Sequence, residues 1–335
     1  MIELRRTLRS LTFGAFATAL AAGIAPAATA QETTLRVVTA FPRTELVVKD
    51  FLSYIEDVNK QGKGIVQIKL LGGPEIANPR ELPVGLRRGQ FELIYSPTAY
   101  YLGLFPEGDM MFGYKTPMQR RANGHIAEMD KAMRQKLEAT IIAHFAGGYG
   151  VNLWTTKEPK RTATGQIDLT GLKVRTSPAY RDFVIALGGT PVVLPGTAEV
   201  YTALERGTVD GTGLPIAQVR DTKIERFVKY GIEPDFLKTV ILLTGNAKAI
   251  DGLPQKAKDI VLGLGRKYEE SSYQNSIKHT DAEREALKKA GVKMVQLEGA
   301  TARSYVDIFV NSAWERVAKN DKIVLDKAKM RALAY

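Results

Sequence analysis

Cysteine is absent from the 335-residue chain, histidine occurs three times and tryptophan twice. The first absence removes disulfides, thiolate zinc sites and thiol catalysis together. No apolar run after the first thirty residues approaches the roughly 20 residues that span a bilayer, and no Lys/Arg run exceeds pairs such as Lys288-Lys289. A nucleic-acid groove is therefore disfavoured against a solvated, mildly basic surface, even at a formal charge of +11. Enzyme motifs are missing as well: there is no G-x-S-x-G elbow, H-E-x-x-H helix, P-loop or Rossmann glycine fingerprint. His125, His144 and His279 are isolated and fall on expected helices, while Glu269-Glu270 reads as part of a solvated helix face. Catalysis, a metal site and a cofactor are not expected. An extracytoplasmic hydrolase stays as the weakest alternative.

What is present is globular: 44% hydrophobic and 25% charged residues, with 30 Gly and 15 Pro, and length enough for two domains or one large α/β unit. Arg5, Arg6 and Arg9, the apolar stretch Leu11 to Ile24 and the pattern Ala28-Thr29-Ala30 read as a signal peptide over residues 1–30, cleaved near Ala30. The Arg5-Arg6 pair leaves twin-arginine export open beside the favoured general secretory route. No Cys follows to carry a lipid, so a soluble periplasmic product is expected. Its charge after loss of three Arg and one Glu is +9.

The chain also repeats itself. Glu81-Leu-Pro-Val-Gly-Leu86-Arg-Arg88-Gly89-Gln-Phe91-Glu92 matches Glu199-Val-Tyr-Thr-Ala-Leu204-Glu-Arg206-Gly207-Thr-Val209-Asp210, and upstream Leu35 to Thr39 matches Leu172 to Thr176. Each copy spells strand, helix, strand, short helix, strand, with glycine just past the short helix where a left-handed cap is wanted. The strands are expected at 35–39, 66–71 and 91–96, then at 173–176, 191–194 and 209–211, and the helices at 45–59, 80–88, 179–187 and 198–206. Chance likeness between ordinary βα units is the alternative. Alternating strand and helix argues parallel sheets, with ligands at the carboxyl ends of the strands. Helices are expected over 254–276, 281–290 and 303–318, with a strand at 292–297 between the last two.

The stretch Asp168-Leu-Thr-Gly171-Leu-Lys-Val-Arg175, then Ala186-Leu-Gly-Gly, then Pro195 through Glu199-Val-Tyr-Thr-Ala-Leu204-Glu-Arg-Gly207-Thr-Val-Asp210-Gly211, resembles the solute-binding subunits of tripartite ATP-independent periplasmic (TRAP) transporters, the DctP-type family. Weaker agreement lies at Gly72-Gly73-Pro74-Glu75, Arg88-Gly89 and Phe105-Pro106-Glu107. The resemblance implies an α/β, two-lobed periplasmic binding protein of type II-like architecture, with a cleft between the lobes and a long bracing helix. The expected division is 31–150 plus about 238–276 for lobe I, and 151–237 plus about 277–335 for lobe II. It also implies capture of an organic acid by lobe closure and delivery to a membrane permease of two unlike subunits. A sensor subunit for a membrane histidine kinase is the alternative partner reading.

Arg175 is the expected ligand clamp, because a guanidinium that never deprotonates offers a planar fork to a carboxylate. The same Arg plays that part in the family, and an interlobe ion pair is the competing reading. From the strand-end rule the other candidates are Phe41, Arg43, Glu75, Thr98 and Tyr100 on the first lobe, with Trp154, Thr155, Thr197 and Leu214 on the second. Phe41 and Tyr100 read equally as core, and Thr155 as a turn cap. Two departures from the family pattern narrow the ligand. Leu153 stands where many relatives have a second Arg, and Thr212-Gly213-Leu214-Pro215 stands where many have Gln-Glu-Asn-Pro. A mono- or dicarboxylate with an apolar or aromatic body is expected, and a heavily hydroxylated sugar acid is disfavoured.

Overall fold

A computed structural model describes residues 32–194 and 196–335, so the expected signal peptide lies outside the described residues. Two sheets carry the architecture. The first is built from β1 (Thr33–Thr39), β2 (Val66–Gly72), β3 (Leu93–Pro97), β4 (Ala139–Phe145) and β13 (Ile241–Asn246), in the order β2-β1-β3-β13-β4. The second holds β5 (Gly150–Thr155), β8 (Lys173–Thr176), β9 (Thr190–Val193), β10 (Gly211–Pro215), β11 (Tyr230–Glu233) and β14 (Lys293–Gln296). Its order is β14-β11-β5-β10-β8-β9, with the short β12 (Leu237–Lys238) also on β5. A ribbon of β6 (Lys160–Arg161) and β7 (Ile167–Asp168) stands apart.

The repeat is architectural: β2-β1-β3 and β9-β8-β10 occupy equivalent places. Both short helices, Leu82–Arg87 and Ala198–Glu205, are followed by glycines in the left-handed region, Gly89 at φ 69° and Gly207 at φ 64°. That conformation carries no side-chain penalty for glycine, and it turns the chain into the next strand.

Neither sheet is wholly parallel, contrary to the expectation from alternation. β13 runs antiparallel to β3 and β4, and β5 runs antiparallel to β10 and β11. Each is a crossing strand, contributed to its sheet by a segment that has just left the other one. The third strand of the second copy is also displaced. It begins at Gly211, because Asp210 is occupied in tying β8 to the turn before it: its amide donates to the Lys173 carbonyl (2.6 Å) and its carboxylate accepts from the Lys173 amide (3.0 Å).

The two helices expected at 254–276 and 281–290 are one, Gln255–Lys289, about 52 Å long at 1.5 Å per residue. No Gly or Pro interrupts residues 277–280, and Thr280 Oγ1 bonds back to the Ser276 carbonyl at 2.8 Å. This helix packs on β4 and on the helix Leu46–Gln61 at one end, and on the helix Ile216–Asp221 of the second half. Its Glu269 is not solvated: 2% exposed, it accepts Arg121 Nε (2.8 Å) and Nη2 (2.7 Å) and the His144 amide (2.9 Å). His144 sits on β4 rather than on a helix. The helix Gly299–Lys319 packs on both halves, and Lys327–Ala334 packs on the helix His125–Leu137. Stacked Phe51 and Tyr95 (4.2 Å between ring centres) lie in the core beside the first sheet, and Phe183 and Phe236 (4.5 Å) beside the second. No helix among the described residues is long and apolar enough to cross a membrane.

Candidate functional site

Antiparallel crossing decides which strand ends meet. Pairing of β5 with β10 sets Val151 opposite Pro215, and pairing of β13 with β3 sets Ile241 opposite Pro97. The amino ends of both crossing strands therefore join the carboxyl ends of β3, β8 and β10 around one pocket of about 550 Å³, its open mouth included. Phe41, Pro97, Ala99, Tyr100, Val240 and Ile241 make an apolar wall from the first half, and Arg175, Ser177, Tyr180, Thr197 and Gln218 a polar one from the second.

Arg175 is only 2% exposed. Its Nη1 donates to Tyr180 Oη (3.0 Å) and its Nη2 to the Gly196 carbonyl (2.8 Å), while Nε has no partner among the described residues. Among the described residues no carboxylate pairs with it. A buried cation held only by neutral acceptors is costly, and an incoming anion relieves that cost. Tyr180 is itself fixed: its hydroxyl donates to the Gly213 carbonyl (2.8 Å), and its ring lies where a side chain on Gly213 would stand, 2.8 Å from a built Cβ. The unusual Thr212-Gly213 sequence thus makes room for the tyrosine that orients the guanidinium.

Opposite Arg175, Tyr100 is held neutral, burial pushing its hydroxyl up to about 12 with the nearby guanidinium acting the other way. Glu45 reaches from the first half into the second. Its Oε1 accepts from Thr197 Oγ1 (3.2 Å) and its Oε2 from Gln218 Nε2. Burial pushes the Glu45 carboxyl up to about 7; the bond from Gln218 acts the other way, and the Asp221 charge adds to the rise. Three further ties cross between the halves. The Leu46 amide donates to Asp221 (2.6 Å), Arg80 Nη2 donates to the Leu194 carbonyl (3.1 Å), and Arg316 joins Asp109 to Asp182 at 2.9 and 3.1 Å.

Of the ten expected site residues, five line the pocket: Phe41, Tyr100, Arg175, Thr197 and Leu214. Trp154 and Thr155 do not, because β5 runs antiparallel and they stand at its far end. Trp154 packs behind the sheet with its Nε1 on the Leu214 carbonyl (2.9 Å), and Thr155 Oγ1 bonds the Lys157 carbonyl (2.8 Å). Thr98 is wholly buried beside Ala99, without a partner for its hydroxyl among the described residues. Arg43 and Glu75 are exposed; Glu75 accepts the Gly73 amide at 2.7 Å, which holds its carboxyl below the usual range, with the Arg43 charge adding a little. Sequence reasoning missed Glu45, Tyr180 and Gln218, as well as the crossing-strand residues Val151, Leu237, Thr239, Val240 and Ile241. The Gly213 that departs from the family pattern was the available signal for Tyr180.

The histidines do not gather. His125 Nε2 meets the Met110 carbonyl (3.0 Å), His144 Nε2 the Thr239 carbonyl (3.0 Å) and His279 Nδ1 the Tyr149 hydroxyl (2.9 Å). Burial pushes His125 and His144 down to about 4. Among the described residues no cluster of three or more His, Asp or Glu could hold a metal ion.

The family model described as bacterial extracellular solute-binding protein, family 7, matches residues 37–320. A 2,3-diketo-L-gulonate-binding periplasmic protein of Escherichia coli K12 is 24% identical over 298 residues, 86% of this chain and 88% of that protein. Among solved structures, a Bordetella pertussis extracytoplasmic solute receptor binding pyroglutamic acid superposes with a TM-score of 0.76 at 16% identity, over 90% of this chain and 99% of that one. A Desulfovibrio desulfuricans TRAP periplasmic solute-binding protein with bound sn-glycerol-3-phosphate gives 0.78 at 14%, over 90% and 96%.

Proposed function

The chain belongs to the bacterial extracellular solute-binding protein family 7, and on that premise we propose that it captures a small organic acid between two closing lobes and releases it to a membrane permease. The observation that carries this reading is Arg175, a buried cation without a carboxylate partner among the described residues, which lines an otherwise largely apolar pocket. A carboxylate is the anion whose planar oxygens match the guanidinium fork, and Tyr100 adds a neutral O–H donor from the other half. Phe41, Pro97, Ala99, Val240 and Ile241 favour an apolar or aromatic body over a many-hydroxyl one, since each buried hydroxyl without a partner weakens binding.

Residues on both halves touch the same space, so ligand contacts are completed only when the halves are together. That differential contact is what stabilises closure. We place the lobes at 31–150 plus about 238–276 and 151–237 plus about 277–335, and the mature protein in the periplasm after cleavage near Ala30. The chain acts here as a receptor rather than as an enzyme. Isothermal titration against benzoate, octanoate, adipate and galactonate tests the ligand class. Tight binding of galactonate with no response to the other three sinks the apolar-body reading, and no response to any carboxylate sinks the whole. Co-purification with a pair of permease subunits, rather than with a membrane kinase, tests the partner.

A further inference from the structure

We infer that Glu45, acting through Gln218, imposes a second requirement on the ligand: beside the carboxylate held by Arg175, it must carry an O–H or N–H donor on its body. The inference rests on the carboxylate reading above and narrows it.

Gln218 lines the pocket from the helix Ile216–Asp221 and is 3% exposed. A primary amide has donors only on nitrogen and an acceptor only on oxygen, and an ionised carboxylate has no donor at all. Contact with Glu45 Oε2 therefore commits the nitrogen end of Gln218 to the carboxylate. The opposite end, Oε1, makes no hydrogen bond among the described residues. It is left as an acceptor on a residue that lines the pocket, where the donors of Arg175 serve an anion. A ligand with a hydroxyl, amine or amide N–H there satisfies it; a plain hydrocarbon acid strips it of water and leaves it unpaired, a loss of roughly tenfold or more in affinity.

Glu45 comes from the first half and Gln218 from the second, 173 residues apart, so the orientation exists only when the halves are together. Thr197 Oγ1 occupies the other carboxylate oxygen and fixes Glu45 in turn. The charged and titratable groups around Glu45 are Asp221 and Arg220 on the helix of Gln218, Glu283 paired with that Arg220, Glu199 on the helix after Thr197, and Tyr100 and Arg175 across the pocket. Because burial sets the Glu45 carboxyl near 7, the neutral form appears in mildly acidic solution. A neutral carboxyl can donate to Gln218 Oε1, which frees the amide to turn. Selectivity for the donor is thus greatest above pH 7 and weaker near pH 5.5.

Matched acids that differ only in the donor test this: mandelate with phenylacetate, 2-hydroxy-4-methylpentanoate with 4-methylpentanoate, and pyroglutamate with cyclopentanecarboxylate, each titrated at pH 8.0 and 5.5. The donor-bearing member of at least one pair is expected to bind tenfold or more tightly at pH 8.0, with the ratio shrinking at pH 5.5. Gln218→Leu brings the ratio near one while both members still bind through Arg175. Glu45→Gln lowers the ratio and removes its pH dependence, a change that a merely structural role would not produce. Equal affinities within every pair for the wild type, or a ratio unmoved in Gln218→Leu, overturns the inference and leaves the carboxylate reading standing. Failure of all six acids to bind at millimolar concentration removes both.

Discussion

Replacing Arg175 by Met separates binding from folding, because the structure gives the two effects different sizes and even different signs. In the free protein the substitution deletes two hydrogen bonds, to Tyr180 Oη and the Gly196 carbonyl, each worth about 1.5–3 kcal/mol for a charged donor. It also abolishes a buried charge with no carboxylate partner among the described residues, whose desolvation costs on the order of several kcal/mol. These offset one another, so the melting temperature of the ligand-free protein is expected to move by no more than about 5 °C, upward as readily as downward. Binding behaves differently. The ligand loses its charged partner outright, at about 2–5 kcal/mol, equivalent to a roughly 30- to 5,000-fold weaker Kd. Calorimetric titration with the tightest acid found for the wild type, beside a thermal melt without ligand, reads both quantities on one preparation. Arg175→Lys keeps the charge but not the fork and should fall between wild type and Met. Affinity within threefold of wild type in Arg175→Met refutes the clamp. A collapse of the ligand-free melt by 15 °C or more refutes the claim that the cation waits for an anion, since it would then be chiefly structural.

Other expectations follow from single contacts. Glu45 has a carboxyl raised to about 7 in the folded chain against an ordinary value of 4.5, so its contribution is complete below 4.5 and is lost as pH rises through 7. Between pH 5.5 and 8.0 this amounts to about 2 kcal/mol. It is read as the difference between wild type and Glu45→Gln in urea melts at the two pH values, because His125 and His144, lowered to about 4, work in the opposite sense over the same range. A pH-independent difference contradicts it. Gly148→Ala places a methyl against Ser276 Oγ and 2.7 Å from the Tyr273 carbonyl on the long helix. A destabilisation of about 1–3 kcal/mol is expected from such overpacking, and an unchanged urea midpoint contradicts the close approach. Glu269→Ala leaves Arg121 and the His144 amide without their acceptor. It should cost about 3 kcal/mol, checked by the same melts, with a loss below 1 kcal/mol arguing against it.

Much of the fold was legible because it rests on local rules. Five of the six repeat strands and the helices between them were found near their observed bounds from alternation and from the Arg-Gly ends at Gly89 and Gly207, while the sixth begins at Gly211 rather than at 209. The direction of β5 and β13 was not legible, since a strand's residues do not state which neighbour it joins. Assuming parallel order put Trp154 and Thr155 at the pocket, whereas the reversed strand presents Val151 there instead. Glu269 was misread for a similar reason: its helix is charged on average, yet this one position faces β4 and meets Arg121, 148 residues away.

The sequence by itself determined the two βα repeats, the absence of thiol chemistry and the family likeness, and through that likeness it singled out Arg175 as the candidate anion clamp. These depend on residue type and on spacings of a few positions, where sterics and capping act directly. Only the tertiary structure decided that Arg175 lies buried with no carboxylate partner among the described residues, that Tyr180 leans on Gly213 to orient it, and that Glu45 meets Gln218 across the pocket. Those contacts join residues whose separation along the chain carries no information about distance. They come from the packing of whole sheets and helices on one another, which brings the start of the helix Leu46–Gln61 to the helix Ile216–Asp221.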